Sequence, residues 1–324
     1  MAEPLNATFN AYRKRERSGV LLGAGLGFAI VMIVMIAVFA GIAFAVGGSV
    51  FTWYGQVMQA TAAGDQAQIA NLPPPSGIFI FIPLYFLFLF CLFVALAAFE
   101  AACLRWMIRG EVSGFFGLNL GADTWRVYGT YWVWFGLFIA FYIGFAIFSF
   151  MLGGAAAVAD QSGNMMMATV FLLPLTFCLA LIIFGVRLAP AAATSVGRGE
   201  FSFFKAWTVT SGRFWSLLGA FLLLGIIYVV ASIVIGIGGF GLILGAAAPA
   251  IDWASAAHDP QAFSAAYTEA IMKVFSTPLS IGLYIALQVV SWAVALFFYV
   301  GFYGINARAV EAALAEGKIE RAGA

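Results

Sequence analysis

Charge is scarce in this sequence: only 9% of its 324 residues are Asp, Glu, Lys or Arg, where an ordinary soluble domain carries roughly a quarter. A single histidine, His258, excludes a metal site built from several imidazoles, and beside Asp259 it reads as a solvated loop residue. Cys91, Cys103 and Cys178 all lie in or next to apolar runs, which implies neither a disulfide framework nor a thiolate metal site. The formal net charge of +1 comes with no concentrated basic face, and this argues against a nucleic-acid partner. No cofactor is implied either. The stretch Gly197–Glu200 lacks the Lys-Ser/Thr ending of a phosphate-binding loop, and one carboxylate inside an apolar run cannot form an acid–base pair. The sequence therefore reads as non-enzymatic.

What the chain has in excess is apolar surface, with 64% hydrophobic residues. Uncharged runs exceed the ~20 residues that carry a helix across a ~30 Å hydrocarbon layer. Such runs fall near Val20–Val46, Gly77–Leu104, Val127–Gly153, Met166–Val186, Phe214–Ala247 and Ser276–Ile305. They are continuous, as in Phe79–Phe99, and do not alternate as the strands of a membrane barrel would. The expected fold is an all-α polytopic membrane protein with six transmembrane helices, a single membrane domain over residues 1–324.

Sidedness follows from the basic residues. Fourteen of fifteen fall in the amino-terminal tail (Arg13, Lys14, Arg15, Arg17), after the second run (Arg105, Arg109, Arg126), after the fourth (Arg187, Arg198, Lys205, Arg213) and in the carboxy-terminal tail (Arg308, Lys318, Arg321). Only Lys273 lies opposite, among Asp65, Asp160, Asp252, Asp259 and Glu269. Short basic segments are retained in the cytoplasm, so both termini are expected there, in a bacterial inner membrane. The first run is longer than the ~7–15 residues of a signal-peptide core and reads as a retained anchor. Trp53, Trp106, Trp125, Trp207, Trp215 and Trp253 stand near predicted edges, where an indole N–H stays wet.

The two internal basic loops repeat each other. One reads Arg109-Gly110-Glu111-Val112-Ser113-Gly114-Phe115-Phe116 and the other Arg198-Gly199-Glu200-Phe201-Ser202-Phe203-Phe204, so one inserted residue aligns them. Each continues to a basic residue and aromatics, Arg126-Val127-Tyr128 and Arg213-Phe214-Trp215, before a long apolar span. Phe9–Tyr12 and Leu21–Ala24 resemble Phe204–Trp207 and Leu217–Ala220 as a third copy. The spacing, roughly 90–105 residues, suggests three parallel units over 8–104, 113–190 and 201–308. Each would be a helical hairpin preceded by a short interfacial elbow helix on the cytoplasmic side, with Phe203, Phe204 and Trp207 sharing one face of the second internal elbow. Chance matches in so biased a composition are the competing explanation.

Arg187-Leu188-Ala189-Pro190, Gly197–Glu200, the Phe204–Trp207 elbow and Ser211-Gly212-Arg213-Phe214-Trp215 together resemble bacterial six-span proteins related to the membrane domain of glycerophosphoryl diester phosphodiesterases. The resemblance rests chiefly on residues 187–225 and implies a six-span layout. Hydrolysis in that family belongs to a separate soluble barrel, for which this chain has no matching segment, so the activity is not carried over.

Glu100 is the one carboxylate inside an apolar run, where an ionised group costs at least ~2.5–3.5 kcal/mol at mid-bilayer. It stands five residues before Arg105, about 7.5 Å along a helix axis, which favours snorkelling or pairing with a neighbouring arginine over proton or substrate handling. Arg187 is a second candidate, as Glu100's partner or, preferentially, as a topological anchor. Arg109, Arg126, Arg198, Lys205 and Arg213 are candidate contacts for lipid headgroups or a protein partner on the cytoplasmic face. Gly19, Gly23, Gly27, Gly241 and Gly245 suggest helix-packing seams, and the glycines of Gly236–Gly241 a loosened span end. The favoured function is structural or interactive, with membrane lipids or a protein partner. The alternative is a transporter or lipid-handling carrier with a cavity near Glu100.

Overall fold

A computed structural model describes residues 7–13, 19–62, 66–75, 78–159, 164–247 and 278–322. Lys14, Arg15, Arg17, Asp65, Asp160, Asp252, Trp253, His258, Asp259, Glu269 and Lys273 lie outside the described residues, so most of the acidic-loop reading does too. The elements are α1 (Gly19–Val46), α2 (Gly48–Ala62), α3 (Gln66–Asn71), α4 (Ile78–Arg109), α5 (Ala122–Ala159), α6 (Asn164–Leu188), α7 (Ala191–Arg198), α8 (Ala206–Val209), α9 (Phe214–Ala247) and α10 (Pro278–Ala315), with single 3-10 turns at Asn10–Tyr12 and Phe203–Lys205.

Six of these helices, α1, α4, α5, α6, α9 and α10, are long and apolar enough to cross a membrane. The chain is an all-helical protein of multi-pass type. The apolar runs set these helices closely, and α9 spans the same residues as its run. The charged ends extend several of them: α4 continues five residues past Leu104, and α10 ten past Ile305. Charged residues have no penalty once a helix leaves hydrocarbon, so the helix outlasts the apolar run. Gly236–Gly241 is helical throughout, not loosened, and Gly239 lies close against the Leu287 side chain of α10.

The chain divides into a larger unit, Lys14–Ser211 with Val310–Ala324, and a smaller one, Met1–Arg13 with Gly212–Ala309. In the larger unit α1 packs on α4, α4 on α5, α5 on α6, and α7 on both α4 and α5. Burial is concentrated at the basic ends of these helices. Every residue from 97 to 108 of α4 is buried, as is every residue from 190 to 197. Alanines at 97, 98, 101 and 102 share this layer with alanines at 191, 192 and 193, because a methyl side chain lets helix backbones approach closely. Farther along, large side chains such as Phe79, Phe86, Phe138 and Phe150 are exposed, an apolar surface far beyond what water tolerates and of the kind that hydrocarbon covers.

The carboxy-terminal tail belongs to this layer. Val310 and Ala313 are fully buried and Ile319 nearly so, and Val310 packs where Gly197 has no side chain; a Cβ there would lie 2.7 Å from Val310 Cγ1. In the smaller unit α9 and α10 meet through large rings, Phe221 on Phe302 at 5.1 Å and Tyr228 on Phe298 at 4.7 Å. The Asn10–Tyr12 turn sits against α10. Gly304 leaves room for the backbone of Ala11, the Asn10 amide donates to Gly304 O at 3.2 Å, and Tyr12 stacks on Phe297 at 4.3 Å.

Candidate functional site

The first internal elbow, 110–121, begins where α4 ends. Gly110 takes a left-handed φ of 70° and its N–H returns to Trp106 O at 3.0 Å, closing the helix as a glycine C-cap does. Arg109 Nε lies 3.2 Å from Glu111 Oε2, and the same guanidinium donates to Asp123. Asp123 stands in the first turn of α5, where a carboxylate is favoured by the exposed N–H groups and helix dipole. It is only 7% exposed and also accepts from Arg126 Nη1 at 2.6 Å. Two arginines thus close on one carboxylate. Arg105, buried, donates from Nη2 to Gly117 O at 3.1 Å and ties the loop to α4.

No elbow helix forms in this loop. Its backbone turns through Gly114 and Gly117 at φ of 85° and 86°, with an isolated antiparallel bridge between Phe115 and Leu118. Phe116 itself holds a φ of 52°, uncommon for a bulky side chain. Its ring occupies the groove at Gly27: a Cβ on Gly27 would lie 2.9 Å from Phe116 Cβ and 3.2 Å from Leu118 Cδ1. The glycine seam of α1 therefore receives a loop phenylalanine there instead of a helix. Gly19, Gly241 and Gly245 have open space around them.

The second internal elbow does contain helix. Arg198 ends α7, Gly199 takes a φ of 77°, and its N–H reaches Ser195 O and Val196 O. Arg198 Nε donates to Glu200 Oε1 at 2.9 Å, and this guanidinium holds the Glu200 carboxyl below the usual carboxylate range. The Ser202 N–H donates to Ser195 Oγ at 3.1 Å, and the chain then turns through Phe203–Lys205 into α8. Phe203 and Phe204 do not share a face. Phe203 is buried against Leu188, Ala191, Ala206 and Trp134, whereas Phe204 is 69% exposed, because a 3-10 turn sends consecutive side chains about 120° apart.

Thr210 fastens the far end of this elbow to α6. Its carbonyl accepts from Arg187 Nη1 at 3.1 Å, and its hydroxyl has Arg187 O at 3.2 Å. The Arg187 guanidinium also lies over the Trp207 ring, 5.3 Å from its centroid, and Phe184 is 5.7 Å from the same ring. The carboxy-terminal tail holds both ends of the segment: Ala322 N–H donates to Arg198 O at 2.7 Å, and Lys318 Nζ to Ser211 O at 3.2 Å. Lys205 is exposed, and its ammonium has no hydrogen bond or ion pair among the described residues. In the smaller unit Arg213 is largely buried, and its carbonyl accepts from Leu217 N–H at 3.0 Å in the first turn of α9.

Glu100 neither snorkels nor meets an arginine. It is enclosed in the packed segment of α4 and accepts one hydrogen bond, from Tyr131 Oη of α5 at 2.6 Å. Arg187 lies elsewhere, on Thr210 and Trp207. Trp106 is buried among the same residues, while Trp125, Trp207 and Trp215 are exposed. Asp123, Tyr131 and Thr210 escaped sequence reading. Asp123 left a signal, an acid at the start of an apolar helix; Tyr131 and Thr210 left none. Among the described residues no three His, Cys, Asp or Glu side chains gather as a metal site.

Comparison of the chain with protein-family models, with curated proteins and with solved structures gives no match in any of the three. Geometry alone therefore supports the functional reading.

Proposed function

We propose that the chain is a non-enzymatic, multi-pass protein of the bacterial inner membrane, with both termini in the cytoplasm, whose elbows engage membrane lipids. One observation carries this reading. Arg109, Arg126, Arg187 and Arg198 are turned onto acceptors of their own chain, while Phe115, Trp125, Phe204 and Trp207 of the same segments stay exposed. Arginines used in this way brace a scaffold. Exposed aromatic side chains at the basic ends of spans suit the headgroup zone, where an amphipathic ring keeps both of its environments.

The test is to extract the protein with its surrounding lipid and compare the retained lipids, by mass spectrometry, with the bulk membrane. Enrichment of anionic lipid is expected, and reduced lipid retention in a protein carrying Phe115→Ala and Trp125→Ala. Retained lipid matching the bulk would overturn the proposal. A protein partner at the same face is a second route to an interactive role, and the exposed aromatics would serve it equally.

The alternative, a carrier with Glu100 near its inner mouth, is favoured by the enclosed carboxyl that accepts from Tyr131 Oη. A burial of this kind is costly and marks many intramembrane functional groups. Full activity of Glu100→Gln in a growth or transport assay would remove it.

A further inference from the structure

The elbow from Phe201 to Trp207 is tied to the basic end of α6. Trp207 is in ring contact with Phe184 and Arg187 in the last turn of α6, itself one of the six candidate spans. Thr210 and Arg187 bind each other's backbone carbonyls, which stops the elbow from sliding along that helix end. The exposed indole, 43% accessible, therefore stands at the basic end of α6. Phe203 anchors the inner side of the turn, and this forces its neighbours Phe204 and Lys205 outward.

The charge of this surface is net positive, with the Glu200 carboxylate in electrostatic reach of both Arg198 and Lys205. Arg198 and Glu200 neutralise each other, Arg187 is spread over Trp207, and the ammonium of Lys205 is left outward. The basic side of the chain as a whole carries fourteen cationic against nine anionic residues. A cation flanked by two exposed rings complements an anionic phosphate with apolar tails below it.

We infer that the 204–207 elbow is a binding site for an anionic phospholipid of the surrounding bilayer, with Lys205 contacting the headgroup phosphate and Phe204 and Trp207 flanking the glycerol and upper acyl region. Neutral lipids carry the same phosphate, but their own ammonium competes with Lys205, so the site discriminates by net charge. The inference rests on the lipid-engaging reading above and deepens it to one residue and one lipid class.

The experiment uses the full chain in vesicles or nanodiscs of phosphatidylcholine with increasing phosphatidylglycerol, and reads the association of spin-labelled phosphatidylglycerol relative to spin-labelled phosphatidylcholine. The wild type is expected to prefer the anionic label. Lys205→Ala should lower the preference about fivefold at low salt, the effect of one basic residue near a membrane surface. Lys205→Arg should restore it. Trp207→Phe keeps a ring and should retain the charge preference.

Equal preference in wild type and Lys205→Ala would overturn the inference while leaving anionic enrichment by the whole protein intact. An unchanged lipid preference accompanied by a stoichiometric protein released only by Lys205→Ala would give this face to a protein and overturn it as well.

Discussion

The two internal elbows start from nearly the same residues and end in different structures. Both begin with Arg-Gly-Glu, and in both the arginine closes a helix, the glycine turns left-handed and the glutamate pairs back to the arginine. They part at Gly114, the inserted residue. With it, the first elbow folds into a glycine-built loop that pushes Phe116 into α1; without it, the second continues through a 3-10 turn into α8. The aligned phenylalanines differ in burial, Phe115 pointing out where Phe203 points in. A local motif dictated the helix stop, and the next packing surface dictated everything after it.

The elbows also differ in what holds them. The first depends on a carboxylate shared by two arginines; the second depends on neutral carbonyl and hydroxyl contacts at Thr210 and on the carboxy-terminal tail. The sharpest way to separate them is Asp123→Ala. It leaves Arg109 and Arg126 without their shared anion, and breaking a buried pair on one side costs about 3–5 kcal/mol; the partial exposure of both arginines puts the expected loss near the lower end, about 3 kcal/mol. Denaturant unfolding in detergent micelles reads this. Thr210→Val should cost less, about 1–2 kcal/mol for a buried hydroxyl contact, and equal losses would erase the distinction.

Gly27→Val tests whether the first elbow is seated on α1. The added side chain meets Phe116 and Leu118, and overpacking of this sort costs about 1–3 kcal/mol. Gly25→Ala, on the same helix with nothing within 4 Å, is the control and should unfold like the wild type. If Gly27→Val behaves like its control, Phe116 is not wedged there. Limited proteolysis within 110–118 should accelerate in Gly27→Val and be unaffected in Gly25→Ala.

The smallest effect belongs to Glu200. Its folded-state pKa is depressed by Arg198, so the ion pair contributes above the ordinary carboxylate pKa and is lost only as pH falls through the depressed value. The carboxyl is exposed, so solvent screens the pair. Glu200→Gln should leave the unfolding midpoint at pH 7 within error and remove the acid-side change in proteolysis of the second elbow. A marked destabilisation at pH 7 would mean that the ion pair, not Thr210 and the tail, holds this elbow.

Much of this architecture is legible in the order of residues alone. The apolar runs locate the six long helices among the described residues, since a helix satisfies its own backbone in hydrocarbon and the runs lack a strand's alternation, and α9 matches its run end to end. The Arg-Gly-Glu motif marks two helix ends. Less legible is the elbow core: Phe203 and Phe204 are chemically equivalent in sequence, and only the Leu188–Trp134 surface chooses between them. Glu100 is conspicuous as a charge in an apolar run, yet its partner Tyr131 lies thirty-one residues away among many aromatics, with nothing to single it out.

The sequence by itself determined the six long apolar helices, the two Arg-Gly-Glu helix ends and which ends are basic, because those properties depend on composition and on neighbours a few residues apart. Tertiary structure alone decided that Asp123 would gather two arginines, that α1's glycines would receive a loop, and that Lys205 would face outward. Each of these needs side chains distant along the chain to share a space only a few ångströms wide, and that proximity is a property of packing.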